Sequence, residues 1–369
     1  MRYENVCVES FGYSLPEEII TSDELEQRLL PLYERLRLPA GRLELMTGIS
    51  QRRVWPVGML PSEQSIVSGR CALAAAGIDP NEIGALIHGS VCRDNLEPAT
   101  ASHVHHGLDL PQECFVYDVS NACLGIVNGM LQIADLIELG RIKAGLVVGT
   151  EDSRHLLEAT VDSLNRDESY TRNSVKMAVA SLTIGSGSSA VLLTHRSISK
   201  TGTRLVGAAV RANTEFHELC QSGRDEAVGS GMQPIMNTDS ERLMREGIAT
   251  GVATYRQFLS ECDWSSADID KTCCHQVGEA HRRQMLESLD CDREKDFATL
   301  AWLGNTGSVA LPVTAAFAAE QGHFEKGDRV ALLGIGSGIN CIMLGLDWQG
   351  VPVKGENPHV WNSAVVSQK

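Results

Sequence analysis

The sequence predicts an α/β protein in which layers of sheet and helix are built twice. Short apolar runs rich in β-branched residues alternate with segments of helical periodicity along the 369 residues. Residues 184–193 (IGSGSSAVLL) and 335–344 (IGSGINCIML) resemble each other at an offset of 151, the difference between 335 and 184. Such a repeat favours an internal duplication, although two unrelated glycine-rich turns would also produce it. We therefore divide the chain into an N-terminal half, 1–195, and a C-terminal half, 196–369.

The first half opens with a strand within 1–13 and a helical region at 22–46, for which Ser22 is a plausible N-cap. Its other predicted elements are a helix at 62–77, strands at 85–91, 115–119, 144–150 and 181–194, a buried helix at 124–139, and a polar excursion of helices and loop at 151–180.

The second half repeats this alternation, and strand pairing in both halves is expected to be largely parallel. Its predicted elements are strands at 204–210, 270–275, 329–335 and 339–346, a polar helical region at 213–247, helices at 248–260, 278–289 and 309–321, and a disordered tail from residue 354.

Composition excludes several classes of function. The formal net charge is −15, with 47 acidic against 32 basic residues, which argues against a nucleic-acid surface. The sequence has no apolar run of membrane-spanning length, so no membrane span is expected. Eleven cysteines without a secretory signal or a C-x-x-C pair predict free thiols in a reducing cytoplasm. No metal site is expected, because Cys273 and Cys274 would alternate across a strand.

Cys123 stands in a strand-to-helix turn, between the run FVYDV and the all-apolar helix that follows. The unpaired N–H groups and the dipole of a helix N-terminus favour a thiolate, lowering the thiol pKa from about 8.5. Such a cysteine is either a nucleophile or a small buried hydrophobe. The repeat offset carries position 123 to Cys274, next to His275. We therefore expect Cys123 and His275 to share one pocket, as a nucleophile and a base do.

Two glycine-flanked turns add further polar groups. Asn305 precedes an alanine-rich helix in LGNTGSVALP, so its amide can donate into a cleft. The turn from Gly334 to Gly338 joins two apolar strands, and a dinucleotide-binding turn would instead lead into a helix. Exposed N–H groups in such a turn suit an oxyanion hole.

The order NAC, HQVG, GNTGS and IGSG resembles the thiolase superfamily, in the branch of ketoacyl synthase III-like condensing enzymes. This resemblance spans residues 90–345 and implies a five-layer αβαβα fold and a tight homodimer. It implies that Cys123 accepts the acyl group and that His275 and Asn305 stabilise an enolate. The backbone N–H groups of Cys123 and Ser337 would form the oxyanion hole. The substrate contacts it suggests are Gly336, Gly338, Arg282 and Arg283.

The loop CRDNLEPATAS indicates the subfamily, because Glu97 occupies the place where ketoacyl synthase III enzymes usually have an aromatic residue. A plain acyl thioester needs a base to lose its α-proton, whereas decarboxylation of malonyl thioester releases a carbanion directly. The arrangement resembles OleA-type enzymes, with Glu97 as the base, although Glu97 could instead cap the helix after Pro98 or pair with Arg93. Met46 and Ala280 replace arginines that typically hold phosphopantetheine, which favours acyl-CoA over an acidic carrier protein.

The expected function is therefore an acyltransferase that joins two long-chain acyl-CoAs without decarboxylation, giving a 2-alkyl-3-oxoacyl product. No cofactor is expected beyond the coenzyme A of the substrates, and downstream enzymes would convert the product to olefin or ketone. One alternative is a decarboxylating 3-oxoacyl synthase III that uses malonyl thioester. Another, of a different class, is a non-catalytic acyl-binding protein of the thiolase fold.

Overall fold

The computed structural model describes residues 1–222 and 236–357. Its strands are β1 (Val6–Ser14), β2 (Glu18–Thr21), β3 (Gln51–Val54), β4 (Ile83–Gly89), β5 (Phe115–Val119), β6 (Ala144–Glu151), β7 (Gly187–His195), β8 (Arg204–Ala212), β9 (Cys220–Gln221), β10 (Asn237–Thr238), β11 (Lys271–Cys274), β12 (Arg329–Gly336), β13 (Asn340–Asp347) and β14 (Val353–Glu356). Its α-helices are α1 (Ser22–Arg28), α2 (Leu30–Leu36), α3 (Arg42–Thr47), α4 (Pro61–Ala76), α5 (Thr100–Gly107), α6 (Gly125–Glu138), α7 (Arg154–Arg166), α8 (Val175–Leu182), α9 (Ser240–Cys262), α10 (Glu279–Ser288), α11 (Leu300–Leu303) and α12 (Ala310–Glu320).

One mixed sheet of ten strands runs through both halves of the described chain, in the order β11-β12-β13-β8-β1-β7-β6-β4-β5, with β14 also paired to β1. In the first half, β1–β7 and β7–β6 are antiparallel, whereas β6–β4 and β4–β5 are parallel. The second half repeats this sequence of directions in β8–β13, β13–β12 and β12–β11. The expectation of largely parallel pairing is therefore wrong, while the repeated pairing pattern supports the duplication.

The duplication differs from the predicted one at Cys123. In the repeated pattern β11 takes the place of β4. Strand β11 is parallel to β12, which pairs antiparallel with β13. In the same way, β4 is parallel to β6, which pairs antiparallel with β7. Cys274 at the end of β11 therefore corresponds to the end of β4, and not to the turn after β5 that carries Cys123. The offset of 151 relates only the segments that lead into β7 and β13. The repeat therefore does not by itself bring Cys123 and His275 together.

Helices lie on both sides of each half of the sheet, giving the layers of an αβαβα arrangement. Helices α4 and α5 pack on one face of the first half, and α9 packs on the outer face of the second half with α10 beside it. Helices α6 and α12 lie between the halves. Strand residues alternate accordingly: Val147 faces the central core, whereas Leu146 and Val148 face the α4–α5 side. In the second half, Leu332 faces the centre and Leu333 faces the α9 side.

Several element boundaries differ from those predicted. The region 22–46 forms three short helices, and the N-cap of the first is Thr21, whose side chain accepts from the backbone of Glu24. The helical region is interrupted at two places. Pro31 favours the first turn of a helix, so a new helix begins there, and Gly41 adopts a φ of 74°. Residues 354–356 belong to β14 and are not disordered, whereas 358–369 lie outside the described residues. Part of the polar region 213–247, residues 223–235, also lies outside them.

The predicted division at residues 195 and 196 falls in the connection between β7 and β8. The second half does not remain on its own side, because β14 returns to pair with β1. In the described part of the chain, no helix combines the length and the apolar character needed to cross a membrane.

Candidate active site

Cys123 lies on a tight turn that joins β5 to α6. The preceding residue, Ala122, has a φ of 44°, a left-handed conformation that a side chain rarely adopts. The turn is closed by the Leu124 N–H, which donates to the Asn121 carbonyl at 2.9 Å. A strained residue held in this way at the start of a helix is typical of a functional turn.

The reactivity of the Cys123 thiol differs from the expectation. Burial, together with the smaller effects of the nearby Cys220 and Glu151, raises its pKa to about 12. The predicted lowering of the thiol pKa is therefore wrong, because removal of a thiolate from water raises the pKa. Burial therefore favours the neutral thiol form of Cys123.

His275 directly follows β11, at the carboxyl end of the second-half sheet. Its backbone N–H donates to the Leu333 carbonyl on β12 at 2.9 Å. The ring is buried, and neither of its nitrogens has a hydrogen-bond partner among the described residues. Burial, assisted by the neighbouring His281, lowers the pKa of His275 to about 3. The site therefore holds a neutral imidazole that can bind a substrate oxygen or accept a proton.

The residue after it, Gln276, joins the histidine segment to the asparagine segment. Its side-chain oxygen accepts from the backbone N–H groups of Thr299 and Leu300, at 2.9 and 2.7 Å. These N–H groups open α11, the short helix that leads into Asn305. The side chain of Gln276 thus fixes the approach to Asn305 relative to His275.

Asn305 is held on both sides of its backbone by the segment before β7. Its N–H donates to the Thr183 carbonyl, and its carbonyl accepts from Gly185, both at 2.9 Å. Its side-chain oxygen accepts from the Gly307 N–H at 3.0 Å. Because the oxygen is used within the turn, the side-chain NH2 remains the group that can donate to a ligand.

The glycine turn between β12 and β13 lies against the cysteine turn. A Cβ atom placed on Gly336 would lie 3.4 Å from the backbone nitrogen of Cys123, so the two backbones are close. The Asn340 side chain donates to Asn121 at 3.0 Å, which in turn donates to Asn128 on α6. Gly338 has a φ of 134°, which favours glycine.

Contacts between backbones and polar side chains thus bring the three predicted segments around the start of α6. The histidine strand β11 pairs with β12, and β12 ends at the glycine turn beside Cys123. The asparagine turn reaches α6 through Ser308, whose hydroxyl donates to the Gly89 carbonyl at 2.9 Å. Gly89 in turn packs on Gly125, the first residue of α6. These contacts place the turns that carry Cys123 and Asn305, and the strand that leads into His275, around the start of α6.

Comparisons with known proteins match this arrangement. Residues 62–201 match the thiolase N-terminal domain, and residues 259–348 match the C-terminal domain of 3-oxoacyl-[acyl-carrier-protein] synthase III. The chain is 43% identical to the acyl-CoA:acyl-CoA alkyltransferase of Shewanella oneidensis, over 94% of this chain and 100% of that protein. The Xanthomonas campestris protein of the same name is 33% identical over 94% and 100%.

The chain belongs to the acyl-CoA:acyl-CoA alkyltransferase (OleA) family.

Solved OleA structures agree with the fold. The cerulenin-bound Xanthomonas campestris OleA superimposes with a TM-score of 0.88 at 33% identity, covering 94% of this chain and 98% of that one. The same protein with bound lauric acid and lauroyl-CoA gives a TM-score of 0.87 at 32% identity, covering 94% and 100%. These values confirm the predicted thiolase fold, and family membership confirms a condensing acyltransferase.

Glu97 of this OleA-family chain lies at the exposed tip of the loop between β4 and α5. The base of the loop is firmly held, because Asp94 accepts from the Ser62 N–H at 2.9 Å and contacts His103 at 2.8 Å. At the other end, Asp118 accepts from the first backbone N–H groups of α5. The Glu97 carboxylate is therefore exposed on an anchored loop. Its role as the base stays a prediction.

The two arginines that were expected to bind CoA differ in environment. Arg282 is buried, and its Nε lies 2.6 Å from the Asp296 carboxylate. Its Nη2 donates to the Asp296 carbonyl at 2.9 Å. This placement gives Arg282 a structural partner and does not support a contact with CoA. Arg283 is more than half exposed and remains a predicted CoA contact.

Sequence reasoning missed two titratable residues of the site. Glu151, the last residue of β6, is buried beside Ser308, and its ionised form raises the pKa of Cys123. His281 in α10 lies near His275, and burial lowers its pKa to about 4. A signal for Glu151 was present in the sequence, since it is the first charged residue after the apolar run AGLVVGT. Glu151 ends β6, just as His275 directly follows β11.

The close approach of Gly89 and Gly125 gives a testable prediction. A Cβ on Gly89 would lie 2.5 Å from the Gly125 carbonyl carbon, so Gly89→Ala must push the start of α6 away. We expect Gly89→Ala to lower the free energy of unfolding by about 1–3 kcal/mol. We also expect Cys123 acylation to slow about 100-fold, measured by mass spectrometry of the acylated protein.

Gly187→Ala is the matched control for this variant. A Cβ there would meet only the ends of two side chains, Leu15 and Val309, at 3.4 Å. Its stability and acylation rate should stay near those of the wild type. A Gly89→Ala protein with wild-type acylation would show that the glycine contact does not fix the position of Cys123.

Proposed function

We propose that this chain joins two acyl-CoAs by a non-decarboxylative Claisen condensation. The observation that carries this proposal is the 43% identity, over the full length of the relative, to a protein named acyl-CoA:acyl-CoA alkyltransferase. Proteins named beta-ketoacyl-[acyl-carrier-protein] synthase III also match, but the Streptomyces coelicolor protein of that name is only 25% identical. The presence of Cys123, His275 and Asn305 in segments that meet around the start of α6 supports a catalytic rather than a merely acyl-binding protein.

In the first half-reaction, the Cys123 sulfur attacks the thioester carbonyl of one acyl-CoA. The N–H groups of Cys123 and Ser337 stabilise the oxyanion of the tetrahedral intermediate. The carbon–sulfur bond to CoA then breaks, and CoA leaves as a thiol. The proton that CoA gains comes from the Cys123 thiol, and the neutral His275 imidazole can carry it. This half-reaction leaves an acyl-cysteine and releases no net charge.

In the second half-reaction, Glu97 of the partner subunit removes the α-proton of the second acyl-CoA. His275 and the NH2 group of Asn305 donate hydrogen bonds to the enolate oxygen. The enolate carbon attacks the acyl-cysteine carbonyl, forming the carbon–carbon bond and expelling the Cys123 thiolate. The proton held by Glu97 then restores the thiol. The product is a 2-alkyl-3-oxoacyl-CoA.

Acyl-CoA is the proposed donor, rather than an acylated carrier protein. A net charge of −15 disfavours docking of an acidic carrier protein. Long-chain donors are supported by the related Xanthomonas structure, which contains lauroyl-CoA. We further propose that the product supplies downstream enzymes that form olefins or ketones. A reducing compartment, the cytoplasm, is proposed because all eleven cysteines are free.

We propose a homodimer formed through the outer edge of β5. Within the described chain, β5 is the last strand of the sheet and pairs only with β4. Phe115 at its start is 54% exposed, and Leu96 in the neighbouring loop is 71% exposed. Pairing of two β5 edges would cover these side chains and the unpaired backbone. It would also bring the Glu97 loop of each subunit towards the other subunit.

The deciding experiment supplies purified enzyme with two long-chain acyl-CoAs and no malonyl-CoA. We expect release of CoA and formation of a 2-alkyl-3-oxoacyl product, detected by mass spectrometry. Product that forms only after malonyl-CoA is added would establish the decarboxylating alternative. Failure of Cys123 to become acylated by any acyl donor would indicate a non-catalytic acyl-binding protein.

A further inference from the structure

A second carboxyl group, Glu151, is buried among the elements of the site. It ends β6 with only 4% of its surface exposed. Its Oε1 lies 2.5 Å from the Ser308 hydroxyl, 3.3 Å from the Ser308 backbone nitrogen and 3.4 Å from that of Val91. Ser308 follows the Asn305 turn, and Val91 begins the loop that carries Glu97. One carboxyl group therefore contacts both segments.

The backbone of the Asn305 turn packs against the Glu151 carboxyl group. A Cβ placed on Gly307 would lie 3.1 Å from the Glu151 Cδ, so the glycine lets the turn pack directly on it. The loop that begins with Val91 is tied to β6 by a second contact, because the Ser90 hydroxyl donates to the Thr150 carbonyl at 2.7 Å. Glu151 therefore sits where the turn, the loop and the nucleophile meet.

The two contacts of the Ser308 hydroxyl indicate whether the Glu151 carboxyl group carries a proton. The Ser308 oxygen lies 2.9 Å from the Gly89 carbonyl and 2.5 Å from Glu151. A carbonyl can only accept, and a serine hydroxyl has a single proton to donate. If that proton goes to Gly89, the short contact with Glu151 requires a proton on Glu151. Burial independently raises the pKa of Glu151, in agreement with a neutral acid.

We propose that Glu151 is a positioning residue that works as a neutral carboxylic acid, donating to Ser308 and so holding the Asn305 turn and the Glu97 loop around Cys123. The neutral form has a second consequence. A carboxylate at this place would disfavour the Cys123 thiolate, whereas a neutral acid does not. The role in condensation rests on the proposed function. The effect on the thiol does not.

The titratable groups around this pair are neutral or acidic. Cys92, from the segment after β4, hydrogen-bonds Glu151, and Asp152 lies close to Cys92. Cys220 on β9 faces Cys123 together with Glu151. As pH rises, the first proton lost by Glu151 and Cys123 makes the second harder to lose, so the two groups titrate as a pair. Replacing Glu151 by a neutral side chain should therefore make the thiol easier to ionise at alkaline pH, where Glu151 has lost its proton.

The test compares Glu151→Gln, Glu151→Ala and the control Glu158→Gln, whose side chain on α7 is half exposed. Alkylation of Cys123 by iodoacetamide is followed from pH 6 to 10 by peptide mass spectrometry, without acyl-CoA. We expect the two profiles to coincide at the acidic end, where Glu151 is neutral, and Glu151→Gln to be alkylated roughly threefold faster than wild type at the alkaline end, where wild-type Glu151 has lost its proton. The Glu158→Gln profile should coincide with that of the wild type.

Condensation of two acyl-CoAs is measured on the same proteins. Glu151→Gln can still donate to Ser308 through its NH2 group, so its rate should stay within about threefold of the wild type. Glu151→Ala loses the contact, and its rate should fall about 100-fold while thermal unfolding shows a folded protein. Wild-type condensation should decline at alkaline pH, where Glu151 ionises, and the Glu151→Gln variant should lack this decline.

The two proposals fail in different ways. Alkylation profiles of wild type and Glu151→Gln that coincide up to pH 10, together with normal condensation by Glu151→Ala, would overturn the role of Glu151. A shifted alkylation profile in a protein that condenses no acyl-CoA pair would overturn the proposed function and leave the coupling between Glu151 and Cys123 in place.

Discussion

Purified Glu97→Gln protein is expected to form acyl-Cys123 at the wild-type rate and to condense acyl-CoAs at least about 100-fold more slowly. The reason is chemical: the first half-reaction needs no α-proton removal, and the second one does. Glutamine keeps the size and polarity of the side chain but cannot accept a proton from carbon. Acylation is measured by intact-protein mass spectrometry, and condensation by release of the second CoA. Glu113→Gln, which changes an exposed residue just before β5, is the control and should behave as the wild type.

Mixed dimers distinguish a base supplied in trans from one supplied in cis. Neither Cys123→Ala nor Glu97→Gln protein alone should condense. In a heterodimer of the two, one active site combines an intact Cys123 with an intact Glu97 of the partner subunit. Mixing under conditions that exchange subunits is therefore expected to restore activity, up to half that of the wild-type dimer. A mixture that stays inactive although exchange is demonstrated would place the base in the same subunit as the nucleophile.

The local chemistry of the chain explains why much of the site could be predicted from sequence. Cys123, Asn305 and the Gly334–Gly338 turn each interrupt a long apolar segment, and the structure places each at the edge of a buried strand or helix. Apolar runs identify buried strands, but they do not encode direction. The antiparallel pairs β1–β7 and β12–β13 were therefore missed. The helical region predicted at 22–46 is divided into shorter helices at Pro31 and Gly41, whose backbone conformations interrupt a helix.

Properties that depend on distant residues could not be predicted. The direction of the Cys123 pKa shift depends on how deeply later segments cover the thiol, and the helix start alone indicates the opposite sign. The contact between Glu151 and Ser308 joins residues 157 positions apart, and no local pattern connects them. The assignment of Arg282 to CoA used only its proximity to the HQ motif. Its actual partner, Asp296, lies 14 residues further along the chain.

Arg282 and Arg283 are neighbours in sequence, and their replacement by methionine is expected to have different effects. Arg282→Met leaves the Asp296 carboxylate buried without its charged partner, since the side chain of Asp296 has no exposed surface. We expect a loss of about 3–5 kcal/mol in the free energy of unfolding, measured by urea denaturation. Arg283→Met removes an exposed guanidinium and should change stability by less than about 0.5 kcal/mol. If Arg283 binds CoA, its loss raises KM for acyl-CoA without changing kcat.

The pH dependence of the Arg282→Met defect identifies its cause. Burial already raises the pKa of Asp296, and Arg282 opposes this rise. Without Arg282 the pKa of Asp296 must rise further, so the carboxyl is neutral at low pH and costs least there. The stability difference between Arg282→Met and wild type should therefore grow as pH rises from about 5 to 8. In an Arg282→Met/Asp296→Leu double variant that dependence should disappear, because no buried carboxyl remains. A single-variant defect that is constant across this range would assign the loss to packing of the arginine side chain instead of to the unpaired charge.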